Sequence, residues 1–259
     1  HYLPVGNLND LPKSQIARLV AIADKIDAIT ACFILGLKPT GSADPYGLRR
    51  AARGIIAIVG AINKNIDITK IFENAIALCI SDCVRKRKPE LSEVLNETTA
   101  FFKSRIENLL LERGFDANFI AMSLNAATAA IDLISIMKKV EAISKLRDNE
   151  NLAKTLQAFK RINNILKNYT GVAVVNESLF CMDIEKELYT KFKSIKTAAT
   201  NFITNNDFEL TINELSKIGE PIDKYFVEVM VMDKDEKIRN NRLAMLNEIL
   251  VFYKGIYDF

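Results

Sequence analysis

The sequence predicts an all-α protein, on three grounds: helical periodicity along nearly its whole length, a scarcity of turn-formers, and a composition rich in good helix formers. The 259 residues include only 10 Gly and 6 Pro, the two types that most disfavour helix interiors. Apolar residues recur at i, i+3 and i+4 through almost every stretch. Hydrophobic residues make up 49% of the chain, enough for a sizeable core.

The elements follow in order. Pro12 opens a first helix, with Asn9 or Asp10 placed to cap it and Ile16, Leu19, Val20, Ala23 and Ile26 as its buried stripe. Gly36 to Gly41 is a break. Asp44-Pro45 restarts the chain, since Asp accepts from free N–H groups and Pro fits a first helical turn; this helix runs to about Ala61. Asp67 caps a third helix to about Val84. Pro89 starts a fourth to about Arg113, stopped by Gly114. Two more helices fill Asn118–Arg147. Asp148-Asn149-Glu150 is a polar break and the predicted domain boundary, giving regions 1–147 and 148–259. The next helix carries Leu152, Leu156, Phe159, Ile162 and Ile165 on one face. Gly171 to Cys181 is irregular, with Val172–Val175 as a short extended piece. Three helices close the chain, about Ile184–Thr204, Phe208–Met232 with an interruption at Pro221, and Asp235–Tyr257.

Composition excludes several functions. His1 is the single histidine, so no Ser-His-Asp or Cys-His arrangement can be assembled. Neither a P-loop nor a GxGxxG occurs. No catalytic residue and no metal-ligand set is predicted. Cys32, Cys79, Cys83 and Cys181 match no zinc spacing and read as reduced thiols of a cytoplasmic protein, with Cys79 and Cys83 buried one turn apart. No signal peptide is expected. The longest apolar run, Gly54–Ile62, is too short to cross a bilayer, so no membrane role is expected. A chain beginning at His1 without Met reads as an excised fragment. The net charge is +3, with seven basic against four acidic residues in positions 1–60 and near balance elsewhere. Nucleic-acid contact would therefore come from local patches rather than a bulk field.

Five segments are candidate sites. Asp24 and Asp27 share one helix side and read as structural, pairing with Lys25 or with arginines of the next helix. Arg49 and Arg53 lie one turn apart beside Arg50. Guanidinium forks suit phosphate oxygens, but ion pairing of Arg49 and Arg50 with Asp24 and Asp27 is the preferred reading. Arg85, Lys86, Arg87 and Lys88 form the densest basic run, equally a solvated helix end or an RNA backbone contact. Arg161 and Asn164, and then Arg239, Asn241 and Arg242, could read exposed RNA bases or fix helix ends. The apolar residues around them, including Val227 to Met232, read as core.

Taken in order, several motifs resemble the β subunit of the bacterial two-subunit glycyl-tRNA synthetase. They are His1-Tyr-Leu-Pro4, Ala23-Asp-Lys-Ile-Asp27, Lys38-Pro-Thr-Gly41, Asp44-Pro-Tyr-Gly-Leu-Arg-Arg-Ala51 and, more loosely, Phe101-Phe-Lys-Ser-Arg105 leading to Glu112-Arg-Gly-Phe115. Lys160-Arg-Ile-Asn-Asn-Ile165 looks like part of the helical anticodon-binding domain shared with arginyl-tRNA synthetases, and Val229-Met-Val-Met232 with Arg239 and Asn241-Arg-Leu243 looks like its closing helices. The resemblance spans nearly the whole chain. It implies a helical body followed by an anticodon-binding helical bundle, an α2β2 enzyme, and tRNA-Gly as partner together with the α subunit and the rest of the β subunit. It also implies that ATP is used by the α subunit, so that no cofactor is held here. The body resembles an HD-type phosphohydrolase fold in which Asp24 falls at the last motif Asp, the other ligands lying upstream. An HD-type metal phosphohydrolase fragment and a protein-only helical scaffold are the alternatives.

Overall fold

The computed structural model describes residues 3–4, 10–81, 89–127, 130–171 and 174–259. Among them the regular elements are helices, with only two isolated bridges, Thr40 to Ala43 and Asp67 to Asp132. The chain forms two compact units, His1–Met137 and Lys138–Phe259. That division falls inside the helix Leu133–Lys145, while the Asp148–Glu150 break is where the following helix is capped.

The first unit contains α1 (Gln15–Ile34), α2 (Leu48–Ile62), α3 (Ile68–Ser81), α4 (Leu91–Glu112), α5 (Ala117–Asn125) and the start of α6 (Leu133–Lys145). α1 packs on α2, α3 and α4, and α4 also meets α2, α3 and α5. Burial of Ile26, Ile29, Phe33, Ile55, Val59, Phe72, Phe102 and Ile106 forms the core. The rings of Phe72 and Phe102 meet edge to face at 5.6 Å, the arrangement their quadrupoles favour.

Three expectations for this unit are corrected. α1 begins after Pro12, capped by Ser14, whose hydroxyl accepts from the Ala17 N–H at 3.1 Å. Its buried stripe is Ile22, Ile26, Ile29 and Phe33, whereas Ile16, Leu19 and Val20 are 76%, 54% and 50% exposed. α1 carries apolar residues on two faces, and period alone does not say which one meets the core. α2 begins at Leu48 rather than at Pro45. Asp44 still caps it, its two carboxylate oxygens accepting from the Leu48 and Arg49 N–H groups at 2.9 Å each. Gly47 sits in the turn between them at φ +65°, a left-handed conformation in which a Cβ is strained. Asp67 caps α3 as expected, accepting from Lys70 at 3.1 Å.

The second unit contains the rest of α6, α7 (Glu150–Leu166), α8 (Asp183–Thr204), α9 (Phe208–Leu215), α10 (Gly219–Glu228) and α11 (Glu236–Lys254), with 3-10 turns at Glu177–Leu179 and Ser216–Ile218. Asn149, Asp207 and Asp235 cap α7, α9 and α11 through side-chain oxygens. Leu152, Phe159 and Ile162 of α7 are buried, and Leu156 and Ile165 half-buried. Phe159 packs between Tyr253 and Phe259, at centroid distances of 4.6 and 5.2 Å. The interruption expected near Pro221 divides Phe208–Met232 into two helices, and the break precedes Pro221 by one turn. Pro221 offers no N–H to the Lys217 carbonyl and its ring crowds that carbonyl, so the chain tightens at Ser216–Ile218. α10 stops at Glu228 and α11 at Lys254, short of the Met232 and Tyr257 ends expected. Gly219 allows α7 and α10 to cross closely, since a Cβ there would lie 2.6 Å from the Thr155 backbone nitrogen. Val174 and Val175 form no strand, and residues 172–173 lie outside the described ones.

Candidate nucleic-acid interface

The second unit takes two of the predicted RNA-contacting residues into its interior. Arg242 is 4% exposed. Its Nε donates to Glu185 Oε1 at 2.8 Å, and its Nη1 donates to the Met230 carbonyl at 2.9 Å and to Asp233 Oδ2 at 2.8 Å. Glu185 is fully buried, and its second oxygen accepts from the Cys181 and Met182 N–H groups at 2.8 Å each. Burial alone would lower the Arg242 pKa; the hydrogen bond and charge of Glu185, with Tyr225 and Asp233 adding, outweigh it and raise the value. The Asp233 carboxyl is held below its usual range mainly by the Asp235 N–H, with Arg242 adding. Asn241 is 4% exposed and is clamped to Asn176, donating to its carbonyl at 3.0 Å and accepting from its N–H at 2.8 Å. The structure thus places Asn241 and Arg242 in the interior, away from the surface where RNA contact was expected of them. A buried guanidinium whose Nε and Nη1 are held by two carboxylates and a carbonyl serves the interior first.

This network fixes the segment between α10 and α11. Half-buried Arg239 donates from Nη1 to the Asp233 carbonyl at 2.9 Å. In the segment so held, Val229 and Val231 are buried, while Met230 and Met232 are 75% and 62% exposed, and the preceding Val227 is 84% exposed. The Val-Met-Val-Met alternation has the period of an extended chain, a signal that distinguishes the inward valines from the outward methionines. The expectation that all these apolar residues are core is therefore half corrected.

Arg161 and Asn164 lie on the exposed side of α7. The Arg161 guanidinium lies 4.2 Å from the centroid of Phe226, whose ring steers it while its donors stay near solvent. Phe226 immediately precedes the exposed Val227. A polar depression of about 720 Å³ elsewhere in the unit is lined by Lys138, Asn205 and Asn206 but also by Glu141, Asp207 and Glu209, which disfavours a phosphate there.

In the first unit Asp24 and Asp27 are exposed, and among the described residues neither pairs with Arg49 or Arg50, contrary to expectation. Arg49 instead turns back to donate from Nη2 to the Gly41 carbonyl at 2.6 Å, within its own loop. Asp27 Oδ1 lies 3.8 Å from Cys79 Sγ. Arg50 lines a shallow depression of about 250 Å³ with Asp24, Lys25 and Tyr46. Lys25 is buried and donates to the Leu3 carbonyl at 3.0 Å; burial lowers its pKa, opposed by Asp24. Arg53 forks onto both oxygens of Glu112 at 3.0 and 2.8 Å. Arg85, Lys86, Arg87, Lys88 and Cys83 lie outside the described residues. Among the described residues no group of three His, Cys, Asp or Glu side chains could hold a metal, and no helix is long and apolar enough to cross a membrane.

Comparison with known proteins places this geometry. Residues 155–255, nearly the whole second unit, match the DALR anticodon binding domain, which puts that unit in the class of helical anticodon-binding domains. Residues 1–125 match the glycyl-tRNA synthetase beta subunit family. Over all 259 residues the chain is 37% identical to the glycine–tRNA ligase beta subunit of Geotalea uraniireducens, 36% to that of Geotalea daltonii and 34% to that of Syntrophus aciditrophicus. Along its whole length the chain matches the C-terminal part of glycyl-tRNA synthetase β subunits. It spans 37%, 36% and 36% of the length of those three relatives.

Proposed function

We propose that this chain is a tRNA-holding part of a glycine–tRNA ligase. In this reading the 155–255 unit grips the anticodon arm of tRNA-Gly, and bond-making takes place on another subunit. One observation carries the reading: the segment matching the anticodon binding domain coincides with a compact helical unit that turns Arg161, Asn164, Val227, Met230 and Met232 outward. Guanidinium donors suit phosphate oxygens, and exposed apolar side chains suit the faces of unstacked bases in a loop. The partners are then tRNA-Gly, the α subunit and the remainder of the β subunit in an α2β2 enzyme of the cytoplasm. The segment works without a metal or cofactor of its own, ATP being used by the α subunit.

Filter binding with tRNA-Gly and an unrelated tRNA, over a range of salt, tests this. Binding that is steeply salt-dependent and prefers tRNA-Gly is expected; equal retention of both tRNAs, or none, would contradict it. A second reading, contact with protein alone, is favoured by the exposed Ile16, Leu19 and Val20 of α1, and it predicts no retention of tRNA at any salt.

A further inference from the structure

α1 carries two apolar faces, and the described residues of the first unit bury only one of them. Ile22, Ile26, Ile29 and Phe33 form the buried face. On the other side Ile16, Leu19 and Val20 stay at least half exposed, and exposed Ala23 continues them. Spaced by three and four residues, these side chains are neighbours over two helical turns and form one patch rather than scattered apolar groups. A helix that is apolar on two sides suits a place between two neighbours, and the first unit supplies one.

The chemistry of the patch points to protein as its second neighbour. The same side of α1 continues into exposed Asp24 and Asp27, whose carboxylates repel a phosphate backbone. The matched relatives contain a great deal more protein. The chain spans 37% of the Geotalea uraniireducens subunit and matches its C-terminal part, so most of that relative lies ahead of the segment equivalent to α1. The residues leading toward α1 are tied down beside it. Lys25 of α1 donates to the Leu3 carbonyl at 3.0 Å. Pro4 is buried against α2, where a Cβ at Gly54 would meet its Cδ at 3.4 Å. A portion joined at such a fixed point meets α1 at an effective concentration in the millimolar range, far above that of a second copy in dilute solution.

We propose that the Ile16, Leu19, Val20 and Ala23 face of α1 is the seat of the preceding portion of the β subunit. That portion lays an apolar face against the patch and turns basic groups toward Asp24 and Asp27. The contact is made within one β subunit, so it forms without the α subunit and without RNA. The proposal rests on the reading of this chain as part of a glycine–tRNA ligase β subunit, and it holds whether or not the second unit grips tRNA.

Hydroxyl-radical footprinting of the full-length β subunit, free of α subunit and RNA, tests it. Rates are taken relative to the urea-unfolded subunit, so each side chain is its own reference. Leu19 and Leu210 are 54% and 46% exposed in this structure and should react alike if both stay open. A covered α1 predicts Leu19 oxidation about fivefold or more below the rate of a half-exposed leucine, with Ile16 and Val20 protected as well. The protection should not change with protein concentration. Leu19→Lys places a charge in the contact and should raise the oxidation of Ile16 and Val20 several-fold, leaving Leu210 unchanged. Leu19 as reactive as a half-exposed leucine in the full-length subunit overturns the proposal, as do Ile16 and Val20 still protected in Leu19→Lys. Protection lost on dilution would make a second copy the occupant, and protection gained only with α subunit or tRNA-Gly would assign the face to that partner; either result overturns it. Salt-dependent retention of tRNA is read in a separate assay, so this proposal and the tRNA-holding reading fail separately.

Discussion

Arg242 and Arg49 both lie early in helices capped by an aspartate, Asp235 for α11 and Asp44 for α2, yet they end in opposite situations. Arg242 meets two carboxylates and a carbonyl and is sealed inside the second unit. Arg49 finds one carbonyl of its own loop in the first and stays half-buried. Neither residue type nor helix position separates them. The acceptors brought within reach by the rest of the fold do, and they decide whether an arginine is sealed into a buried network or only closes its own loop.

Breaking the Arg242 side of this contrast should have the largest effect. Arg242→Ala strands the buried Glu185 carboxylate, and removing one partner of a buried pair costs about 3–5 kcal/mol, read as a lower urea midpoint. Full stability in that variant would mean the network carries no weight. High pH attacks the same unit next. Burial, with the Glu248 hydrogen bond behind it, pushes the Tyr189 phenol up to about 12, and burial also raises Tyr225, Tyr253 and Tyr257. In the unfolded chain these phenols lose their protons near a pH of about 10. Above that the folded state binds more protons than the unfolded one, so their stabilising contribution, complete below pH ~10, falls away as pH rises through about 12. Tyr46, the described tyrosine of the first unit, is 55% exposed. Hydrogen exchange should therefore show the second unit opening first in alkali, and uniform opening would contradict this.

Smaller effects sharpen the comparison. Asn241→Ala removes both bonds to the Asn176 backbone and should cost about 1–3 kcal/mol in chemical denaturation, with faster exchange around residues 174–180. Arg49→Gln should shift stability by less than about 0.5 kcal/mol. A loss as large as that of Arg242→Ala would make Arg49 structural after all.

Much of the helical architecture was legible because its signals are local. Asp67, Asn149, Asp207 and Asp235 stand next to the helices they cap, and Gly114 follows α4. The α1 face was not, because two apolar stripes compete on one helix. Among the candidate residues, local pattern gives the exposure of Arg161 and Asn164, opposite the apolar face of α7. Glu185, the buried partner of Arg242, and Asn176, the partner of Asn241, lie 57 and 65 residues away in sequence, and no spacing rule spans that distance. The outward Met230 and Met232 were readable in principle from their alternation with Val229 and Val231.

The central claim, that the second unit holds tRNA by its outer surface while Arg242 only holds the unit, is tested most directly by tRNA-Gly affinity against salt for the unaltered chain and for Arg161→Gln. The account predicts steeply salt-dependent binding whose slope becomes shallower by about 1 in the variant, with no change in urea midpoint. Identical affinity of the two chains at every salt concentration would contradict it.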